Sequence, residues 1–287
     1  MIVVTGTKRS GTSMWMQILK AAGYPVLGEA FPRDWGDTIR EANSEGFYES
    51  PLRQGIYYAT NPHPGTGAFL APQETRRMVV KVFASGLARS DLAYLDKVVA
   101  SMRPFREYAA SLRRLYAMEY QGKLSSAERA GKSPDVVPRY TYLRPELEWW
   151  NDNFTLLRDA LIRRYPLHMV SYGAVLRDPS SVVAEALGWL GQGEREPAVG
   201  VVRDSMRTQH TESLAESEPS GLSAEQEAVF DELYRRVDQR EPLDGDFIDR
   251  LNYTHDELEP LIAEAAHAAV SQRRDVRHAA QERVKES

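Results

Sequence analysis

Ile2-Val3-Val4-Thr5-Gly6-Thr7-Lys8-Arg9-Ser10-Gly11-Thr12-Ser13-Met14-Trp15-Met16-Gln17-Ile18-Leu19 is the stretch that decides the fold. A short β-branched run leads into two glycines five positions apart. Trp15, Ile18, Leu19 and Ala22 then share one helical face, and Gly23 is a natural C-terminal cap. Strand, glycine loop and helix in that order form the repeating unit of parallel α/β sheets. Free backbone N–H groups and the helix dipole make such a loop an anion cradle.

Further strand candidates lie at Met78–Phe83, Lys97–Ser101 and Leu167–Tyr172. Helices are expected from Pro104 through about Tyr120, and within 143–164, where Leu147, Trp150, Phe154, Leu157 and Leu161 step by three and four. Asp178-Pro179 supplies an N-cap and first turn for a helix ending near Leu190-Gly191, and Ser223 to Gln226 has capping-box spacing. From His255 onward the chain reads as a long surface helix with a fraying tail. The expected architecture is a P-loop-like three-layer α/β fold, a central parallel sheet flanked by helices. It is read as one domain over 1–287, with the C-terminal helices of about 222–287 packed on it. Residues 122–138, punctuated by Gly and Pro, read as a flexible loop, and Asn61 to Gly67 as a loop on the rim of a pocket.

Composition narrows the function. A net charge of −5 gives no sign of a general nucleic-acid binder, and no apolar run approaches the roughly 18 residues of a transmembrane helix. Met1 runs straight into a strand with no basic leader, so a cytoplasmic location away from membranes is expected. The absence of cysteine excludes disulfides, thiolate catalysis and Cys-ligated zinc. The six histidines never fall at metal-binding spacing, so no metal site is expected from local sequence. The expected partner is a small molecule, and the oligomeric state is left open.

The loop departs from the nucleotide-hydrolase pattern. Gly6 and Gly11 have Walker A spacing, yet Thr12 stands where that signature needs Lys, and the cations Lys8 and Arg9 come earlier. An ATPase or GTPase needs that Lys on the terminal phosphates. A bare strand-to-helix turn is the alternative for this loop taken alone. Downstream, Arg103 ends a strand at the ligand-binding edge and Ser111 follows about two helical turns on, so the pair could hold a second phosphate.

These segments together resemble the sulfotransferases that use 3′-phosphoadenosine 5′-phosphosulfate (PAPS), including bacterial members with the P-loop-like fold. Thr7-Lys8-Arg9-Ser10-Gly11-Thr12-Ser13 is similar to that family's 5′-phosphosulfate loop, and Arg103 with Ser111 to its 3′-phosphate motif. Val170 to Pro179, leading to Leu187-Gly188, is similar to its Tyr-x-x-Leu-x-x-Asp-Pro stretch. The likeness covers about residues 1–191 in order. Two features depart from it: Pro104 directly follows Arg103, and Lys81-Val82-Phe83 lacks the His of the cytosolic Lys-Thr-His pattern.

The resemblance implies sulfuryl transfer from PAPS to a hydroxyl or amine, with 3′,5′-adenosine bisphosphate (PAP) as product and no metal. Arg9 takes the place of the family's catalytic Lys or Arg, where a guanidinium stabilises the departing phosphate oxygen; Lys8 is a second candidate. Thr7 to Ser13, with Arg103 and Ser111, would bind the donor. With no His at Phe83, the base is sought among carboxylates. Glu29 follows the first helix as the base Glu does in tyrosylprotein-type members. Glu49, in Gly46-Phe47-Tyr48-Glu49, resembles a segment of bacterial members and ranks second. Surface solvation is the plainer reading of either glutamate.

Trp35, Tyr48, Tyr57 and Tyr58 are either core or acceptor-pocket residues. Trp149, Trp150, Phe154 and Leu157 read as helix packing. Arg207 and His210 precede a Ser/Glu-rich loop that either closes over the nucleotide or is a solvated turn. Arg273, Arg274 and Arg277 read as a charged helix face. Two rival functions stand beside the transferase: an ATP-dependent small-molecule or nucleotide kinase, and a non-catalytic nucleotide-binding interaction module.

Overall fold

The computed structural model describes residues 1–31, 46–134, 137–140, 142–203 and 219–286, with the backbone alone for 277–286. Trp35, Arg207 and His210 lie outside the described residues, as does most of the loop at 211–221. Five parallel strands form one sheet: β1 (Ile2–Gly6), β2 (Val26–Leu27), β3 (Val79–Lys81), β4 (Lys97–Met102) and β5 (Leu167–Ser171), in the order β2-β3-β1-β4-β5. β1 pairs with β3 on one side, Val4 opposite Lys81, and with β4 on the other, Gly6 opposite Ser101. The chain thus builds outward from β1 in both directions, and the loop after β1 falls at the reversal point where ligands bind in open α/β sheets.

Both faces of the sheet are covered, which is why its strands are apolar throughout rather than alternating. Ile2, Val4, Val99 and Val170 face α1 (Thr12–Ala21), with Trp15, Ile18 and Leu19 fully buried against them. That layer is completed by α5 (Tyr172–Arg177), α6 (Pro179–Leu190) and α7 (Arg195–Val199). Met1, Val3, Val80, Val98 and Ala100 face the other way, onto Leu87 of α2 (Ala84–Leu87) and Leu156 of α4 (Pro145–Arg163). A third core joins α3 (Phe105–Arg129) and α4 to α8 (Ala224–Gln239) and α9 (Gly245–Glu286). At its centre Phe230 lies edge-on to Phe105, at 5.4 Å, and stacks on Trp149 and Trp150, at 5.2 and 4.6 Å. Asp178 and Ser223 cap α6 and α8 as the sequence predicts, the latter with a complete capping box.

Three expectations are corrected. Residues 122–129 are not a loop: α3 continues to Arg129, because Gly122 and Ala127 face the protein and Lys123, Leu124, Ala127, Glu128 and Arg129 are good helix formers. The turn comes only at Gly131, whose positive φ of 65° permits the reversal. The final helix begins at Gly245, ten residues ahead of His255, since Phe247 and Leu251 extend its buried face. Leu161 is 58% exposed, so the α4 stripe ends at Leu157. Asn61, at the start of the loop expected on a pocket rim, is tied through Tyr94 to the end of the sheet where β1 starts. Asn61 donates to the Leu70 carbonyl and bonds the Tyr94 hydroxyl, and the Tyr94 carbonyl accepts from the Met1 terminus, where β1 starts. Tyr58 is held there too, its N–H on Asp91. Among the described residues no helix is long and apolar enough to cross a membrane.

Candidate active site

The loop between β1 and α1 reverses direction through Gly6 (φ 137°), Arg9 (φ 64°) and Gly11 (φ 97°). A β-carbon at Gly6 would stand 2.3 Å from the Ser101 carbonyl oxygen, and one at Gly11 2.7 Å from the Tyr172 ring, so both positions need glycine. Ser10 Oγ donates to the Thr7 carbonyl at 2.7 Å, and Ser101 Oγ donates to the Ser10 carbonyl at 2.6 Å, anchoring the loop to β4. Ser10 therefore shapes the cradle. Among the described residues no side chain caps α1, so the N–H groups of its first turn, at Thr12 and Ser13, face the loop's hollow. The Thr7 hydroxyl, fully buried, has no hydrogen-bond partner among the described residues. Uncapped N–H groups and an orphaned hydroxyl around a left-handed loop suit a bound anion.

Arg9 and the Arg103–Ser111 pair, far apart in sequence, converge at this edge. Arg9 Nε donates to Ser111 Oγ at 3.2 Å. Arg103 is buried between β4 and α3; its Nε and Nη2 donate to Glu107 at 3.2 Å and its Nη1 to the Arg9 carbonyl at 3.4 Å. The guanidinium lies over the Tyr172 ring at 4.7 Å, and Trp149 Nε1 donates to the Arg103 carbonyl at 2.8 Å. Burial, with Arg103 as the next cause, draws the Arg9 pKa below the usual guanidinium value.

Lys8 turns the other way. Its ammonium is 2.9 Å from Glu148 of α4 and lies over the Tyr116 ring of α3 at 5.9 Å. Burial works against the charge, but Glu148, supported by Asp152 and Glu119, raises the Lys8 pKa. Tyr116 donates to the second Glu148 oxygen at 3.0 Å. Asp152, one turn beyond Glu148, is pushed up to about 7 by burial first and by Glu148 second, with Lys8 opposing. No feature of the sequence near Asp152 singled it out, because its chemistry comes from α3 and the loop folding over α4.

Lys81 is the other residue that sequence reading passed over. It ends β3, is 4% exposed, and stands 3.3 Å from Glu49, which also pairs with Arg53 at 3.4 Å. The Lys81 ammonium donates to Ser13 Oγ at 3.2 Å and to the Phe47 carbonyl. Burial lowers its pKa, against the pull of Glu49. A lysine inside the apolar run Val79-Val80-Lys81-Val82 was the available signal: such a charge is tolerated at a strand's ligand edge and not in its interior. Lys81 thereby brings a cation to the start of α1, where a Walker loop would use the residue at Thr12. Glu29 and Glu49 meet only through the main chain, Glu29 N–H donating to the Glu49 carbonyl at 3.2 Å; the Glu29 side chain is exposed and that of Glu49 buried. Tyr48 lies against Lys20, at 5.3 Å.

No protein-family model and no curated protein matches the chain. Among solved structures it is similar to sulfotransferase STF1 from Mycobacterium tuberculosis H37Rv, at 14% identity over 81% of this chain and 75% of that one, with a TM-score of 0.36. It is also similar to the sulfotransferase domain of the Synechococcus PCC 7002 olefin synthase, at 12% identity over 88% of this chain and 93% of that domain, again with a TM-score of 0.36.

Proposed function

We propose that the chain is a sulfotransferase that moves a sulfuryl group from PAPS to a hydroxyl or amine of a small-molecule acceptor. The observation that carries this reading is the Arg9–Ser111 hydrogen bond, which ties the phosphate loop to the second basic motif across 102 residues of sequence. A donor with a 5′-phosphosulfate and a 3′-phosphate needs two anion-binding groups side by side. The first is the loop, with the N–H groups of Thr12 and Ser13 and the Thr7 hydroxyl. The second is Arg103 with Ser111. Three of the five guanidinium N–H groups of Arg103 are committed to Glu107 and the Arg9 carbonyl, leaving two for a phosphate.

In the transfer, the acceptor oxygen or nitrogen bonds to sulfur as the sulfur–oxygen bond to the 5′-phosphate breaks, and the acceptor's proton passes to a base. Arg9 stabilises charge on the departing phosphate oxygen, since a guanidinium holds its proton. Lys81, on Ser13, adds a second cation from the opposite strand. Glu49 suits the base better than Glu29: it is buried beside Lys81 and the start of α1, whereas Glu29 faces water. The test is a calorimetric titration with PAP beside AMP, ADP and ATP, with and without magnesium. A magnesium-independent preference for PAP is expected. A preference for ATP with magnesium would replace this reading with a kinase.

A further inference from the structure

Phe230, Tyr234 and Asp238 recur at every fourth position of α8 and so form one stripe along it. The stripe reaches the ends of two neighbouring strands, β4 and β5, at the ligand-binding edge. Phe230 stacks on Trp149, whose Nε1 donates to the Arg103 carbonyl just after β4. Tyr234 and Asp238 meet Ser171, the last residue of β5. The hydroxyl protons there can run only one way. Ser171 Oγ donates its single proton to Asp238, so the Tyr234 hydroxyl, 3.0 Å away, donates to Ser171 Oγ. The Ala174 N–H takes the other lone pair of Ser171 Oγ, at 2.9 Å, and Arg177 donates to both Asp238 oxygens, at 2.8 and 2.7 Å. A polar chain with every member engaged holds its groups in one arrangement.

Tyr234 grips the residue on the far side of Tyr172 as well. A β-carbon at Gly173 would stand 2.7 Å from the Tyr234 hydroxyl oxygen, so the phenol fits there only over glycine. Tyr172 is thus fixed at both of its neighbours. Its ring lies against Gly11 of the loop, and the Arg103 guanidinium sits over it at 4.7 Å. One helix therefore reaches Arg103 from two directions, its carbonyl through Phe230 and Trp149 and its guanidinium through Tyr234, Ser171 and Tyr172. Core packing alone would be served by apolar residues at positions 234 and 238. The hydroxyl chain adds direction, because hydrogen bonds fix angles as well as distances.

We infer that Tyr234, with Asp238, is a positioning residue for the Arg103 guanidinium and acts through Ser171 and the Tyr172 ring. The support of the anion side thereby extends into α8, beyond the part of the chain that carries the sequence likeness. That the positioned guanidinium holds a 3′-phosphate rests on the proposed transferase; the grip itself rests on the hydrogen bonds and the ring contact.

The test reads the Arg103 Nε–H resonance in proton–nitrogen NMR spectra of the full-length chain, identified by its absence in Arg103→Lys. Tyr234→Phe keeps the ring and removes the hydroxyl. The resonance is expected to move as the guanidinium shifts over the Tyr172 ring, and its exchange with water to quicken. Asp238→Asn should move it the same way by less, and serves alone if Tyr234→Phe does not fold. Asp231→Asn loosens α8 at its Arg106 contact, off the stripe, and should leave the resonance in place. A resonance unmoved by Tyr234→Phe and Asp238→Asn, or moved as far by Asp231→Asn, would overturn the positioning role.

Calorimetric titration of the same variants then tests the link to the donor. Tyr234→Phe should weaken PAP binding about three- to tenfold and leave AMP binding close to wild type. A moved resonance with PAP and AMP weakened equally keeps the grip and removes Arg103 from 3′-phosphate recognition. A wild-type chain with no preference for PAP loses the transferase, and the resonance still decides the grip.

Discussion

Arg9 and Lys8 are adjacent in the chain and face opposite surroundings. Arg9, in the left-handed conformation, directs its guanidinium to Ser111 and stands beside Arg103, so that a like charge presses on it. Lys8 reaches across to α4, where Glu148 and Asp152 press on each other. The Arg9 side is an anion side, crowded by cations, and the Lys8 side a cation side, where carboxylates surround Lys8. The single reversed residue between Lys8 and Ser10 sends neighbouring cations to opposite sides, so the charge of a loop says little about its ligands until its backbone is known.

The largest effect should come from removing the support on the anion side. Arg103→Ala takes away the buried partner of Glu107, the donor to the Arg9 carbonyl and the ring contact with Tyr172. Breaking a buried pair in this way costs about 3–5 kcal/mol, read as a lowered urea midpoint. PAP binding should fall further than AMP binding. Unchanged stability would show that the anion side is not braced through Arg103.

Arg9→Ala comes next. PAPS consumption should drop about 10²–10³-fold, as for loss of one preorganised charge-stabilising donor. PAP affinity should fall by less, because the N–H groups at the start of α1 remain. Equal losses in binding and turnover would make Arg9 a binding residue only.

Much of the anion side was legible in sequence, and little of the cation side was. Gly6, Gly11 and Arg103 carry their meaning locally: a glycine where φ is positive, an arginine where a strand ends. β2, only two residues long and held by pairing to β3, has no pattern to read. The extension of α3 to Arg129 was hidden by Gly122, which reads as a breaker until a neighbouring surface buries it. Glu148 and Asp152 look like ordinary solvated positions of an amphipathic helix. Only the approach of Lys8, Tyr108 and Tyr116, from 30 to 140 positions earlier, gives them chemistry.

Asp152→Asn sharpens the cation side by pH. A carboxyl raised to about 7 from an ordinary 3.8 binds its proton more tightly folded than unfolded. Its stability contribution is therefore complete at the lowest pH and is lost as pH rises from about 4 through 7. The variant should be more stable than wild type at pH 8, by about 1–2 kcal/mol after allowing for solvent screening of a half-buried group, with a smaller gain at pH 5, read from urea unfolding. A gain independent of pH would mean that Asp152 is not strained by its charge.

Lys8→Met gives the smallest change in stability and bears most directly on the contrast between the two cations. The Lys8–Glu148 pair is half exposed on the lysine side, so its loss should cost about 0–1 kcal/mol. Lys8 is also what holds the Asp152 carboxyl down against burial and Glu148, so without it that carboxyl should climb above about 7. The cost should then grow with pH and shrink when Asp152→Asn is added, which a double-mutant cycle of melting temperatures at pH 5 and pH 8 reads directly. PAP affinity should stay close to wild type, in contrast to Arg103→Ala. If Lys8→Met instead weakened PAP binding as much as Arg9→Ala does, both cations would serve one anion. The Glu148 contact would then be a resting place for Lys8, and the division of the loop into two sides would fail.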